Sequence, residues 1–252
     1  MAALPPRALL ILLLAACGCG EPAGEAFEHR SRAVGETLEH RVLVPDDAED
    51  RPALLVLLHG RGGGPEGMVS DALTEALDAA GDRAPIVLLP DGGEASYWHN
   101  RRDGAWARMV VREAIPEAIR RYDADPGRVA IGGISMGGFG ALHLAAAFPD
   151  RFCAVGAHSP AIFADAASSA EGAFDDAEDF DRHDLLARAE QIPPGTWIDV
   201  GDDDPFAAAT RTLVKRMRAP RFHPWPGGHD GDYWNAHTDD YVRFYVRELA
   251  DC

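Results

Sequence analysis

Short continuous apolar runs, separated by stretches with helical periodicity, are the feature of this sequence that most restricts its fold. The runs occupy residues 53–58, 86–89, 129–134, 153–157 and 197–200. A strand that is apolar on both faces must be covered on both faces, as a central strand of a parallel sheet is. The alternation of such strands with helices therefore predicts an α/β fold with a mostly parallel sheet and helices on both faces.

The segments around these runs carry the remaining elements. The clearest helical pattern spans residues 106–122, where an apolar stripe recurs with the helical period and Pro116 predicts a local kink. Further helical patterns cover residues 68–80, 139–147, 206–217 and 239–249. Residues 27–34 and 37–44 alternate apolar and polar side chains around Gly35, which predicts an N-terminal antiparallel hairpin.

Size and charge limit the classes of partner. The chain has 252 residues, of which 46% are apolar, and this suits one α/β domain with a sizeable core. Lys and Arg number 24 against 41 Asp and Glu, so the formal net charge is −17. Such a surface repels phosphate backbones, and nucleic acid is therefore not an expected partner.

The first residues predict export from a bacterial cytoplasm. Arg7 precedes an apolar run at residues 9–14 that is too short to span a bilayer, and the run leads into Leu14-Ala15-Ala16-Cys17. This order resembles a lipoprotein signal peptide, with residues 1–16 removed and Cys17 lipid-modified; an ordinary signal peptide is the alternative. Residues 17–26 then form a flexible tether and residues 27–252 the folded domain. In both alternatives the mature protein leaves the cytoplasm for the cell envelope, lipid-anchored or secreted/periplasmic, and it contacts the membrane only through a lipid anchor at Cys17.

The pattern G-x-S-x-G occurs at Gly133-Ile134-Ser135-Met136-Gly137. A predicted strand leads into it and a predicted helix leads out, which is the context of a nucleophile elbow. So sharp a turn brings the residues two before and two after the serine together, and only glycine leaves enough room there. Ser135 is therefore the predicted nucleophile, held at the N-terminus of a helix.

A serine hydroxyl needs a base within hydrogen-bond reach and an acid that orients the base. His229 is the predicted base, because it lies in a loop between a short strand and the last helix. The acid is expected in the aspartate run after the strand at residues 197–200. Asp204, just ahead of the first-turn proline Pro205, is favoured over Asp203, and Asp202 comes third. The other histidines considered are interpreted as structural or surface residues: His143, His158, His223 and His237.

An oxyanion needs backbone N–H donors held in place before the reaction. The N–H groups of Met136, directly after the nucleophile, and of Arg61, in the Gly-rich loop after the first buried strand, are predicted to supply them. His59 is interpreted as a strand-end residue bonded to that loop. No cofactor is required and no metal site is expected, because the four cysteines lack metal spacing, and a disulfide framework is not needed for a chain this long.

These residues resemble the esterase D and feruloyl-esterase-like family of α/β-hydrolases, related to S-formylglutathione hydrolases, enterochelin esterases and mycolyltransferases. The similarity covers about residues 38–250, and its most specific pieces are Leu58-His59-Gly60, Pro90-Asp91-Gly92, residues 125–141 and Gly228-His229 with Tyr233-Trp234. It implies an α/β-hydrolase fold, Ser135, His229 and Asp204 as the catalytic triad, and Arg61 and Met136 as oxyanion donors. It also implies a serine carboxylic-ester hydrolase that forms an acyl-enzyme and acts on a small-molecule or carbohydrate-linked ester.

Alternatives stay open at three points. The enzyme could transfer the acyl group to an alcohol or sugar acceptor, or the chain could be a non-catalytic envelope protein that binds a ligand. Trp98 and His99, in an aromatic stretch after a strand, either line the substrate pocket or pack inside a loop. Residues 160–190 interrupt the strand–helix rhythm and form either a lid beside the cleft or a solvated loop with short helices.

Overall fold

The computed structural model describes residues 24–252. The predicted signal peptide, Cys17 and the tether up to residue 23 lie outside the described residues. Within residues 24–252, no helix combines the length and the apolar character needed to cross a bilayer.

The strands come close to the predicted positions. They are β1 (Glu25–Arg30), β2 (Thr37–Leu43), β3 (Leu54–Leu58), β4 (Ile86–Leu89), a two-residue ribbon of β5 (Asn100–Arg101) and β6 (Gly104–Ala105), β7 (Val129–Gly133), β8 (Ala154–His158), β9 (Trp197–Gly201) and β10 (Arg221–Trp225). The ribbon lies outside the main sheet, whose strand order is β1-β2-β4-β3-β7-β8-β9-β10. β1 and β2 pair antiparallel, β2 pairs antiparallel with β4, and the other neighbours are parallel. The prediction of a mostly parallel sheet with an N-terminal antiparallel hairpin is thus confirmed.

The helices cover both faces of the sheet, as predicted. They are α1 (Asp71–Ala80), α2 (Trp106–Met109), a π-helical turn (Val110–Ala114), α3 (Ile115–Tyr122), α4 (Met136–Ala147), α5 (Ala177–His183), α6 (Ala207–Arg216) and α7 (Gly231–Ala250). One core contains side chains of α1 and α7 packed on the sheet. The other contains side chains of α2 to α6 and of the 160–190 segment.

Three differences from the predicted elements have clear causes. Glu25 and Ala26, assigned to the tether, belong to β1 because they pair with Val42 and Arg41 of β2. The π-helical turn directly precedes Ile115 and Pro116, since a proline without an N–H cannot continue the normal hydrogen-bond ladder. The wider turn is the form that the predicted kink takes.

The last helix is the third and largest difference. It begins at Gly231, eight residues before its predicted start, so His237 lies well inside α7. Asp230 caps the helix by accepting a hydrogen bond from Tyr233 N–H (3.0 Å). The early turns then bury Tyr233 against the sheet, and this packing outweighs their weak helix propensity.

A disulfide joins Cys153 to Cys252, 99 residues apart. This pair was not predicted from the sequence, because neither cysteine has a partner nearby in the chain. The bond connects Cys153, which precedes β8, to Cys252, which follows α7, so it links the end of α7 to the start of a sheet strand.

Candidate active site

Ser135 occupies a strained turn between β7 and α4. Its φ of 54° and ψ of −115° lie in a region that non-glycine residues seldom adopt. A Cβ on Gly133 would lie 2.6 Å from the Gly137 backbone, and a Cβ on Gly137 would overlap the Leu58 carbonyl oxygen. The two glycines are therefore required by close backbone approach, for the steric reason expected of the G-x-S-x-G turn.

The structure brings Ser135, His229 and Asp204 together. Ser135 Oγ lies 2.8 Å from His229 Nε2, and His229 Nδ1 lies 2.7 Å from Asp204 Oδ2. A carboxylate only accepts hydrogen bonds, so the imidazole proton is on Nδ1 and Nε2 is free to accept from the serine hydroxyl. This is the order of contacts in which an imidazole acts as the base of a hydroxyl nucleophile.

The neighbours of Asp204 explain why it is the aspartate that faces His229. Asp204 is buried and also accepts a hydrogen bond from Phe206 N–H (2.7 Å), which orients the carboxylate. Asp202 is exposed, and its Oδ1 accepts from Gly227 N–H (2.9 Å) and so shapes the loop before His229. Asp203 is exposed to solvent. Only the third aspartate of the run therefore points to the imidazole.

Two aromatic rings hold the imidazole of His229. Phe206 and Trp234 pack edge-on against it, with ring centroids 5.1 and 5.2 Å away. The side chain of His229 keeps 21% of its surface exposed. The ring is thus fixed in orientation yet open to the cleft above Ser135.

The Gly-rich loop after β3 lies against the nucleophile. A Cβ on Gly60 would be 3.4 Å from Ser135 Cβ, and Gly62 adopts a positive φ of 69°. Among the described residues, neither Arg61 N–H nor Met136 N–H has a hydrogen-bond partner. The Arg61 guanidinium donates to the Glu171 carbonyl (2.9 Å), which holds that side chain on the 160–190 segment. Both predicted donors therefore have free N–H groups: Arg61 lines the cleft, and Met136 directly follows Ser135, which also lines it.

His59 stabilises this loop with one hydrogen bond at each of its ring nitrogens. Its Nδ1–H donates to the Gly60 carbonyl (2.8 Å), and its Nε2 accepts from Gly92 N–H (3.0 Å). Burial lowers the pKa of His59, which keeps the ring neutral and able to accept at Nε2. The residue has the structural position expected of it.

The space above Ser135 is a cleft of about 310 Å³. Its walls are the loop of residues 59–64 on one side and His229, Met68 and Trp234 on the other. Ser135 and Ile134 form the floor.

Trp98 and His99 do not line this cleft; both are fully buried. Trp98 Nε1–H donates to the His59 carbonyl (3.2 Å), and a Cβ on Gly92 or Gly140 would collide with the Trp98 ring. His99 Nε2–H donates to Asp179 Oδ2 (3.0 Å). Their assignment as substrate-binding residues is wrong in this conformation, because the loop turns them inward to support the His59 strand end and the 160–190 segment.

The 160–190 segment is packed and not merely solvated. Phe163 and Phe174 join Tyr97 and Phe139 in an aromatic cluster with centroid distances of 5.7 to 6.1 Å. Arg101 binds Asp175 (3.2 Å), which attaches the segment to the loop that follows β4. Whether the segment acts as a lid stays a prediction.

One group of potential metal ligands lies in this region among the residues that the structure describes: His99, Asp179 and His183. Burial lowers the pKa of His99 to about 4, so its ring is neutral. The Asp179 carboxylate, however, already accepts from His99, from Asp175 N–H (2.9 Å) and from Arg182 (3.2 Å). An arginine on the same carboxylate repels a cation, so the group is explained as a hydrogen-bond network that ties α5 to the loop.

A second His–Asp pair, which was not predicted from the sequence, lies beneath the cleft. The fully buried Asp199 accepts from His158 Nδ1–H (2.6 Å) and Trp197 Nε1–H (2.9 Å), and from the hydroxyls of Tyr233 (3.1 Å) and Tyr241 (2.8 Å). Tyr245 donates its hydroxyl to His158 Nε2 (2.9 Å). The signal was present in the sequence: an aspartate within an apolar strand covered on both faces must find buried partners.

Comparisons with known proteins agree with this geometry. The sequence model of the family described as putative esterase matches residues 31–245. The chain is 26% identical to an S-formylglutathione hydrolase of Paracoccus denitrificans, over 89% of this chain and 93% of that protein.

Solved structures share the fold. A ferulic acid esterase superposes with a TM-score of 0.74 at 21% identity, covering 89% of this chain and 98% of that one. An S-formylglutathione hydrolase from Agrobacterium tumefaciens superposes with a TM-score of 0.75 at 19% identity, covering 89% and 94%. These superpositions confirm the predicted α/β-hydrolase fold.

Proposed function

The chain belongs to the putative esterase family and is a serine esterase, and from this membership we propose that it cleaves carboxylic esters with Ser135, His229 and Asp204 as its triad. The observation that carries the proposal is the chain of two short contacts, from Ser135 Oγ to His229 Nε2 (2.8 Å) and from His229 Nδ1 to Asp204 (2.7 Å), on the floor of a cleft. No change of loop conformation is needed to assemble it.

In the first step, Ser135 Oγ attacks the ester carbonyl carbon while its proton passes to His229 Nε2. The carbonyl oxygen becomes an oxyanion between the N–H groups of Arg61 and Met136. The tetrahedral intermediate then collapses: the bond to the alcohol oxygen breaks, His229 Nε2 gives that oxygen the proton, and the acyl group stays on Ser135. Between these two proton transfers His229 is an imidazolium, which the Asp204 carboxylate stabilises.

In the second step, water replaces the alcohol. His229 Nε2 removes a proton from the water as the water oxygen attacks the acyl carbon, and the same proton then returns to Ser135 Oγ as the carboxylic acid leaves. The reaction uses one ester and one water and regenerates the serine. All groups that it requires come from the chain and from the solvent.

The proposed substrate is a small-molecule or carbohydrate-linked ester. Support comes from the solved ferulic acid esterase and from the S-formylglutathione hydrolases named above. Acyl transfer to an alcohol or sugar acceptor stays the alternative prediction, and product analysis with added acceptors separates it from hydrolysis.

We further propose that the protein works outside the cytoplasm, anchored through a lipid on Cys17. The Cys153–Cys252 disulfide supports this, because such bonds persist in oxidising compartments. Mass spectrometry of the mature N-terminus tests the anchor: a diacylglyceryl Cys17 is expected in the wild type and is lost in Cys17→Ser. A free N-terminus after an ordinary signal peptide would contradict it.

The function is tested by labelling and turnover together. A fluorophosphonate probe is expected to label Ser135, and the purified protein without residues 1–24 is expected to hydrolyse 4-nitrophenyl acetate. A protein that neither binds the probe nor turns over any ester would be the non-catalytic ligand-binding protein of the alternative hypothesis.

A further inference from the structure

A second cavity of about 180 Å³ lies beside the catalytic cleft. It is a crevice between residues 67–73 and residues 231–245 of α7, and residues of β3 and β7 also line it. We call it the α7 crevice.

The α7 crevice continues the catalytic cleft. Gly67, Met68, Ile134 and Trp234 line both cavities, and Ile134 is the residue directly before the nucleophile. A group bound in the crevice can therefore be covalently attached to a group that reacts at Ser135.

The walls of the crevice favour an uncharged, apolar occupant. Leu57, Leu73 and Val242 lie beyond Met68 and Trp234, and no Asp, Glu, Lys or Arg lines the crevice although the whole chain carries a net charge of −17. Pockets lined in this way recognise ligands by apolar contact.

Most of the polar groups that line it already have partners; the exceptions among the described residues are the buried Trp234 Nε1–H, which has none, and the exposed side chain of Asn235. His158 Nε2 and the Tyr245 hydroxyl bind each other (2.9 Å), and the Tyr241 hydroxyl donates to Asp199 (2.8 Å). Thr238 Oγ1 donates to the Trp234 carbonyl (2.8 Å). A polar occupant would find few free partners on these walls, and would lose hydrogen bonds to water on entry.

The position of His229 decides which half of an ester points into the crevice. The alcohol oxygen must come within hydrogen-bond reach of His229 Nε2 to receive its proton. Trp234 packs edge-on against His229 and forms the entrance to the crevice, so the group attached to that oxygen leaves the cleft along Trp234.

We propose that the α7 crevice binds the alcohol half of the ester, as a phenyl-sized or four- to six-carbon alkyl group. This rests on the proposed function and adds the substrate class. The size follows from the volume, because a cavity of about 150 Å³ holds one benzene molecule.

The experiment compares two series of esters on the purified enzyme. One series varies the alcohol of acetate esters from ethyl through butyl and hexyl to phenyl, and the other varies the acid of ethyl esters from acetate to hexanoate. We expect kcat/KM to rise about threefold per methylene up to the crevice's capacity in the alcohol series. In the acid series, kcat/KM should not rise with chain length in this way.

Filling the crevice should remove this preference. Thr238→Phe places a ring between α7 and α1, and the ratio of kcat/KM for butyl acetate to that for ethyl acetate is expected to fall about tenfold. Val242→Ala enlarges the crevice, so the preferred alcohol should become one or two carbons longer.

Thr212→Phe is the matched control. Thr212 is also a half-buried helical threonine whose hydroxyl donates to the carbonyl four residues earlier (Ala208, 3.0 Å), but it lies in α6 and lines neither cavity. Its butyl-to-ethyl ratio should equal that of the wild type.

The outcomes separate the two proposals. If ethyl acetate is turned over but Thr238→Phe and Val242→Ala keep the wild-type ratio, the crevice does not bind substrate. If these variants change kcat/KM across the acid series and leave the alcohol series unchanged, the crevice binds the acyl half and the assignment is wrong. If the wild type neither hydrolyses ethyl acetate nor is labelled at Ser135, the proposed function itself fails, and this inference with it.

Discussion

Two His–Asp pairs lie close together in this protein, and they have nearly the same geometry. His229 Nδ1 lies 2.7 Å from Asp204, and His158 Nδ1 lies 2.6 Å from Asp199. Each imidazole also contacts a hydroxyl through Nε2: Ser135 at 2.8 Å in the first pair and Tyr245 at 2.9 Å in the second. By distances alone, the two chains of contacts are equivalent.

Their surroundings differ. The His229 side chain is 21% exposed and faces a cleft, whereas that of His158 is 2% exposed and lies under α7. Burial, with the charge of Asp199 added, raises the pKa of the Tyr233 and Tyr241 hydroxyls, so both stay protonated and donate to the carboxylate. Asp199 therefore has four side-chain donors that hold it in place.

Access to the cleft and the identity of the third group, not the His–Asp contact itself, therefore distinguish the candidate site from the structural pair. In the first pair the hydroxyl belongs to Ser135, a half-buried residue in a strained turn that lines the cleft, and a serine hydroxyl beside a base has the contacts of an activated nucleophile. A buried tyrosine hydroxyl gives the second pair only a hydrogen bond, which joins α7 to β8 and β9. Each of the following variants acts on one pair.

Replacing the nucleophile should have the largest effect. Ser135→Ala is expected to lower kcat on 4-nitrophenyl acetate by about 10⁴-fold or more, because no other group can form the acyl-enzyme. Ser159→Ala is the control: Ser159 follows His158, and its buried Oγ has no partner among the described residues. Wild-type turnover by the Ser135 variant would refute the assignment of the nucleophile.

Replacing the acid of the pair at the cleft should have the second-largest effect. Asp204→Asn cannot hold the tautomer that leaves Nε2 free, so kcat should fall about 10³- to 10⁴-fold with little change in melting temperature. Asp203→Asn, on the exposed neighbour, should stay within about threefold of the wild type. The reverse order of these two variants would make Asp203 the acid.

Replacing the acid of the buried pair should act on stability instead. Asp199→Asn breaks a buried ionic network, and the free energy of unfolding should fall by about 3–5 kcal/mol in urea titrations. The folded fraction should still be labelled at Ser135 by the fluorophosphonate. A variant as stable as the wild type but unlabelled would give Asp199 a role in the chemistry.

The smallest effect is expected from the last hydroxyl of the buried network. Tyr245→Phe leaves His158 Nε2 without a partner, which should lower the free energy of unfolding by about 1–2 kcal/mol. Because Tyr245 contacts neither Ser135 nor His229, the fluorophosphonate should still label Ser135 in this variant. A large loss of kcat without loss of stability would mean that the two pairs are coupled.

The sequence predicted the fold well where the physical signal is local. Apolar runs such as residues 53–58 predict strands covered on both faces, and Gly133 and Gly137 indicate a turn too tight for side chains. It failed for Trp98 and His99, because the direction of a loop side chain depends on which neighbours leave space for it. Here Gly92 and Gly140 supply that space from distant parts of the chain.

Residue chemistry and spacing were thus enough to predict the α/β-hydrolase fold, the tight turn at Ser135 and the contact of Ser135 with His229 and Asp204, because turn sterics and strand–helix order act within a few residues. Packing in three dimensions was needed for the rest: the Cys153–Cys252 bond, the partners of Asp199, and the crevice between α1 and α7. Each of these joins residues far apart in the chain, and their separation is set by how helices pack on the sheet.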